Sequence, residues 1–446
     1  MELVTPAIGL KLMRMGFARS TCISLLGLLT TALALPAQEH EDFEDPPINY
    51  SATLPKDIAA KINAAFADKA DEIRSWPARK RLRWLLEQCN APVESQLMVF
   101  SKTSLQRDII SPSNPRVLYF SDEAYIGWVP GGSIELTVFD PTLGATFYTL
   151  DAQATESKEL LHRSNECLSC HKSYEHTPSL RDRSIYPDAL GEPLSGSSTS
   201  NIEASTPLQE RWGGWYVTGI PGDFFHRGNT MGKSAGDFEG TDALHSKCLA
   251  TLPEQVDPQR YLKATSDIIP LIVHDHQVYV HNVLAHANLT SRLALYRWPA
   301  MRDLLGLPEQ APPSGSCLVV FNNQAEKIIE ALLCKGEPDW PTRGIQGNGE
   351  FEKAYAKERR PDTQGRALRD LDLKTRLFRY RCSPLIYSQS FATLPPLLRE
   401  IVLQRLATGL QAAEPTDEFK NLPADERKAI YEIIKATLPD LPKEWH

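Results

Sequence analysis

Cys167, Cys170 and His171 lie in the stretch CLSCH, two thiols separated by two residues with an imidazole directly after the second. A structural zinc site needs four protein ligands, usually from two such clusters, and the chain has no second Cys-x-x-Cys. A thioredoxin-like disulfide wants a strand before it and a helix after it, and has no need of the histidine. Covalent haem uses all three groups. The thiols add to the vinyl groups as thioethers, and the histidine becomes the proximal ligand of the iron. With eight cysteines and eleven histidines in 446 residues, chance yields this grouping about 0.004 times per chain. Haem therefore leads, with zinc and a redox disulfide as the alternatives. The group occurs once, so one haem c is expected.

What such a haem would do depends on the far side of its iron. A Met or His ligand there favours electron transfer, whereas an open polar pocket permits ligand binding or catalysis. Met231, in GNTMGKS, and His226, in FHRGN, are the candidate distal ligands. The face carrying His274 and His281 is a third option, and no protein ligand a fourth. His176 follows His171 too closely to leave the proximal side. For acid–base chemistry beside the iron, the candidates are His274, His281 and His226.

These residues must be placed by the elements around them. Arg14 and Arg19 precede the apolar run CISLLGLLTTALA, which ends in Ala-Leu-Ala and is followed by LPAQ. This is the layout of a secretory signal peptide over residues 1–37, and the run is short for a membrane span. No later stretch reads as a span, so an exported, periplasmic protein is expected. The net charge of -8 and the absence of a basic motif give no sign of nucleic-acid binding. Residues 38–151 begin with a helical pattern (Ile58, Ile62, Phe66, then Leu82, Leu85, Leu86) broken at Pro77. VLYF, YIGWV, SIELTVF and ATFYTL then read as an antiparallel sheet of three or four strands.

Residues 152–265 hold the CLSCH group and long loops. RWGGWYVTGIPGDFFHRGN mixes glycine and aromatics without a helical or strand period, which suits wrapping a flat apolar body or packing on the core. Residues 266–446 read as mainly helical. Between Ile268 and Ser291 the only charged residue is Asp275, so this helix is expected to be buried. His274, Gln277, His281 and Asn288 fall within about 60° of one another on it. Such a stripe must find partners, either in a helix–helix network or in a site. A metal site built on His274 and His276 is a further option. The arginine-rich segment 357–381 reads as a salt-bridged helix using Asp370 and Asp372, or as a set of partners for haem propionates. Of Cys89, Cys248, Cys317, Cys334 and Cys382, the pair Cys317–Cys334 is the expected disulfide.

Taken together, YIGWVPGGSIELTVFDPTLGATFYTLD, CLSCH, RSIYPDALGEP, ERWGGWYVTG, HRGN, SDIIPLIVHDHQVYVHN and GRALRDLDLKTRLFRYRCSPLIYS resemble a family of exported, single-haem cytochrome c-domain proteins. The resemblance implies haem binding and redox chemistry and brings no substrate with it. The chain departs from the family at Ile220-Pro221-Gly222, where similar proteins tend to have a histidine; His226 is the histidine left on that loop. A fainter similarity to cytochrome P460 lacks a lysine between Val117 and Asp151 to cross-link the haem.

The expected fold is α+β, β-rich before the haem motif and mainly helical after it. The expected function is electron transfer to a redox partner protein. A haem-dependent oxidoreductase with a histidine-lined distal pocket and a haem-based ligand sensor are the alternatives.

Overall fold

The structure is a computed structural model that describes residues 42–151, 159–172, 174–195, 199–238 and 246–445; residues 1–37, expected to be a signal peptide, lie outside the described residues. Three short helices come first: α1 (Ile58–Ala65), α2 (Ala70–Ser75) and α3 (Ala78–Gln88). Asp57 caps α1 by accepting from Ala60 N at 2.9 Å. Its other oxygen accepts the hydroxyls of Thr146 and Tyr148 at 2.7 and 2.6 Å. One buried carboxylate thus ties a helix start to the sheet, using a side chain that suits an N-cap.

The strands follow: β1 (Leu97–Val99), β2 (Arg116–Phe120), β3 (Ala124–Trp128), β4 (Ile134–Asp140), β5 (Gly144–Leu150), β6 (His162–Arg163), the small pair β7 (Arg183–Ser184) and β8 (Ser200–Asn201), and β9 (Trp215–Tyr216). The main sheet has the order β6-β5-β4-β3-β2-β1-β9, and all its pairings are antiparallel. The four expected strands are β2–β5. The other three come from stretches of two or three residues. Trp215 and Tyr216, within the segment read as having no regular period, form an edge strand on β1.

Helices dominate the rest: α4 (Ile268–Leu304), α5 (Gly315–Leu332), α6 (Glu350–Tyr355), α7 (Gln389–Ala392), α8 (Pro396–Gln411) and α9 (Ala424–Thr437). The architecture is α+β, a sheet region followed by a helical one. As its shortage of charge requires, α4 is buried almost continuously from Ile268 to Ser291. Its far half packs with α5, α8 and α9 in a core that includes Phe321, Ile328, Leu403, Ile433 and Trp445. Among the described residues, no helix is long and apolar enough to cross a membrane.

Two expectations are corrected here. Segment 357–381 is not a helix beyond the end of a 3-10 turn at Ala356–Glu358. Pro361 and Gly365 (φ 79°) interrupt it. Asp362 and Asp372 turn back to accept backbone N–H groups of Gln364, Arg366, Lys374 and Thr375, the local bonding that competes with a helix. The ion pairs do form, some within the segment, Arg359 with Asp370 and Arg366 with Asp362, and others across elements, Arg366 with Glu432, Arg369 with Asp122 and Arg381 with Glu426. Cys317 and Cys334 are both free thiols. They sit at opposite ends of α5, so at 1.5 Å per residue they stand roughly 25 Å apart, far beyond disulfide reach.

Candidate functional site

Strands β2–β5 alternate side chains between two faces. Val117, Tyr119, Ile126, Trp128, Leu136 and Val138 point to the core shared with α1–α3. Arg116, Tyr125, Gly127, Glu135, Thr137 and Phe147 point the other way and line a cavity. Cys167, Cys170 and His171 line the same cavity, together with Arg181, Asp182, Arg183, Trp215 and His274.

The cysteines arrive there because β6 hydrogen-bonds to β5 and leads straight into a 3-10 turn, Asn165–Ser169. Cys170 N and His171 N both donate to Cys167 O, at 3.1 and 2.9 Å, so the three groups share one tight turn. His171 packs against Phe147, with ring centres 5.0 Å apart. Its Nδ1 lies 3.2 Å from Ser179 O, where an N–H on that nitrogen donates. Ser179 N returns a bond to His171 O at 2.9 Å. Burial, helped by the Arg116 charge, lowers the His171 pKa to about 4, so the ring is neutral near pH 7.

Arg116 and Glu135 form an ion pair across the middle of this face, and Gly127 makes room for it. A Cβ at Gly127 would stand 2.3 Å from the Arg116 guanidinium. Gln106 Nε2 also donates to Glu135, at 3.0 Å. Burial alone would raise the Glu135 pKa, but Arg116 beside it holds the carboxyl below the usual range.

At the inner end His274 Nδ1 stands 3.0 Å from Asp182 Oδ2, both nearly inaccessible. Burial alone would lower the His274 pKa; the Asp182 carboxylate outweighs it and raises it. Asp275, the neighbouring acid, is committed elsewhere: its Oδ2 accepts from Arg211 Nη1 at 3.0 Å and Trp212 Nε1 at 3.1 Å. His281 lies behind this wall. Its Nδ1 is 2.7 Å from Tyr125 Oη and its ring stacks on Phe139. Gln277 donates to Ser121 O and Asn288 to Pro141 O. The polar stripe on α4 is thus split between the cavity (His274) and a hydrogen-bond network.

Neither expected distal ligand lines the cavity. Met231 packs against the core on the opposite face of the sheet. His226 is fully buried beside Trp212 and Phe224, with Nε2 3.6 Å from Cys248 Sγ. His176 is exposed. The cavity also holds residues that the sequence reading passed over: Arg116, Glu135, Arg181, Asp182 and Arg183. Their signal was a charged residue at the inward parity of an apolar strand, and the run RDR just after the cysteines.

The residues fit a covalently held haem by their chemistry. Two thiols and a neutral imidazole share one turn, and His171 has one ring nitrogen tied to a carbonyl, which leaves Nε2 to bind a metal. The guanidinium of Arg183 has no hydrogen bond or ion pair among the described residues, and Arg181 Nε is held by Asn201 at 2.8 Å; both suit carboxylates. The cavity measures about 140 Å³, below the roughly 300–1,000 Å³ of small-molecule sites. Haem would therefore displace a wall. The outer one, Thr103–Leu105, is a loop whose Leu105 is already 62% exposed.

No family model, no curated protein and no solved structure matches this chain.

Proposed function

We propose that the chain holds one haem c through Cys167 and Cys170, with His171 as the proximal iron ligand, and that it works as a haem-dependent oxidoreductase. The observation that carries this reading is the convergence of the CLSCH turn and the His274–Asp182 pair on one charged cavity. Haem, when bound, supplies a one-electron redox centre. The chain's own residues do the rest. Ser179 O orients the His171 ring. Arg181 and Arg183 receive carboxylates, either propionates or an anionic substrate. Asp182 keeps a proton on His274, which is then placed to donate it to a small molecule in the cavity. Because haem attachment takes place outside the cytoplasm, the reading carries export to the periplasm with it.

Electron transfer to a partner protein is the second reading. It is favoured by the exposure of Asn165, Glu166 and Ser169 in the attachment turn, which would keep a haem edge near the surface. Absorption spectra of the purified protein, oxidised and reduced, with and without carbon monoxide, separate the two. A reduced spectrum that shifts with carbon monoxide supports the oxidoreductase. A low-spin spectrum indifferent to it supports the carrier. Protein without any haem band ends both.

A further inference from the structure

On the side of α4 away from the cavity, His276 reaches a second cluster. Its Nδ1 is 2.7 Å from Glu337 Oε1 and its Nε2 is 2.8 Å from Ser383 Oγ. Cys334 completes the group: the donor atoms of His276, Cys334 and Glu337 all lie within 4.8 Å of one another. Three separate pieces of chain bring them together. His276 is on α4. Cys334 and Glu337 sit in the turn that ends α5, with Cys334 at φ 54° and Gly336 at φ 81°. Ser383 is pinned to that turn by its N–H, which donates to Leu332 O at 2.7 Å. A non-glycine residue at positive φ costs energy, and here it keeps the Cys334 thiol within 4.8 Å of the His276 and Glu337 donor atoms.

The arrangement of Ser383, His276 and Glu337 has the order of a hydrolytic triad, but Ser383 is fully buried and lines none of the cavities described here. We propose instead that His276, Cys334 and Glu337 are a three-ligand site for a divalent transition metal of the zinc class, separate from the CLSCH turn. One nitrogen, one sulfur and one oxygen are the donor types zinc takes, and three protein ligands leave one position for water or a small molecule. At zinc bond lengths, donors on a tetrahedral ion stand roughly 3.4–3.7 Å apart. The Nδ1···Oε1 pair is already closer than that, so the ion enters by spreading it slightly. At present the His276 ring is bonded to Glu337 and Ser383, and the Cys334 thiol lies 3.9 Å from Leu332 O, to which it donates. Burial, with Glu337 adding to it, pushes the Cys334 thiol well above its ordinary pKa, so the thiol keeps its proton until a cation replaces it. On binding, the S–H bond breaks, sulfur ligates the metal and the proton leaves to solvent. With the metal on Nδ1, Nε2–H donates to Ser383 Oγ, an outer partner that fixes the ring. A pocket of about 20 Å³ that reaches two of the three, His276 and Glu337, has room for about one water.

The test uses the full chain in two backgrounds, wild type and Cys167→Ala/Cys170→Ala, so that the first thiol–histidine group cannot contribute. Each is titrated with zinc(II) against a chelating dye, and with cobalt(II) followed by absorbance. The expected result is one metal per chain in both backgrounds and a thiolate-to-cobalt charge-transfer band. Cys334→Ser should abolish that band. Glu337→Gln, a change at a partly exposed side chain that keeps its shape, should weaken zinc binding at least about tenfold, and Ser383→Ala about tenfold. Absence of stoichiometric zinc from the double variant overturns the proposal. So does a cobalt band that survives Cys334→Ser in the Cys167→Ala/Cys170→Ala background, which would place the thiolate at another cysteine. Haem content plays no part in the readout, so loss of the haem reading leaves this result standing.

Discussion

One face of the sheet presents Val117, Tyr119, Ile126, Trp128, Leu136 and Val138 to α1–α3, a contact without a single charge among the strand residues. The other face, offset by one residue along the same strands, presents Arg116, Tyr125, Glu135 and Thr137 to the cysteine turn and α4. The backbone ladder is common to both. The strand period of two lets one set of residues provide the rigidity and the alternate set the chemistry, because neighbours in sequence never share a face. A charged residue can therefore enter a buried strand at almost no cost to the apolar side, provided its partner sits on the same face, as Glu135 does for Arg116.

The comparison can be broken most completely from the polar side. Replacing Cys167 and Cys170 with Ala should remove all haem that survives a denaturing gel, while the circular dichroism of the chain keeps its strand and helix content. On the apolar side, Ile126→Ala should do the reverse. Haem attachment should persist, and urea unfolding should show a loss of about 2–5 kcal/mol, the usual cost of a buried cavity. Gly127→Ala tests the boundary between the two. Its methyl would displace the Arg116 guanidinium and strand Glu135, a change expected to cost about 1–3 kcal/mol and to alter the spectrum of bound haem. Unchanged stability and spectrum would show that the ion pair does not need the glycine.

The most gradual expected effect is a slope in pH. Burial lowers the His281 pKa to about 3, against an ordinary value of 6.5. The unfolded chain therefore binds a proton below pH 6.5 that the folded chain refuses. Stability contributed by neutral His281 is fully present above pH 6.5 and is lost as the pH falls towards about 3, by up to about 1.4 kcal/mol per unit. His281→Gln should flatten this part of the stability curve measured by chemical denaturation. An unchanged slope would assign it to other groups.

Much of this layout was legible in the sequence. The helix from Ile268 showed itself because one charge in two dozen residues admits no solvated face. β2–β5 were marked by β-branched and aromatic runs between Gly and Pro clusters. β1 and β9 were not, since two or three residues carry no period; only the sheet edge they complete makes them strands. The arginine-rich segment deceived because its acids suggested pairing along a helix, while in the fold Asp362 and Asp372 bind backbone groups, Asp370 pairs with Arg359 across a loop, and Arg366, Arg369 and Arg381 reach to acids of other elements. CLSCH placed the site, but not its walls. Arg116 and Glu135 gain meaning only when β2, β3 and β4 lie side by side. His276 and Glu337 meet across 61 residues of chain, a contact that no local pattern announces.

The order of the cavity's parts along the chain sets a sequence in time. The strands that form its floor and the two cysteines come first; Arg181–Arg183, Trp215 and α4 come later. A chain made from its N-terminus therefore presents both thiols on an unfinished surface before the residues that enclose them have arrived. If haem is attached as proposed, attachment before folding is complete would meet an open cradle, and attachment afterwards a closed one. The enclosure is complete only when α4, the last element along the chain to line the cavity, brings His274 to it.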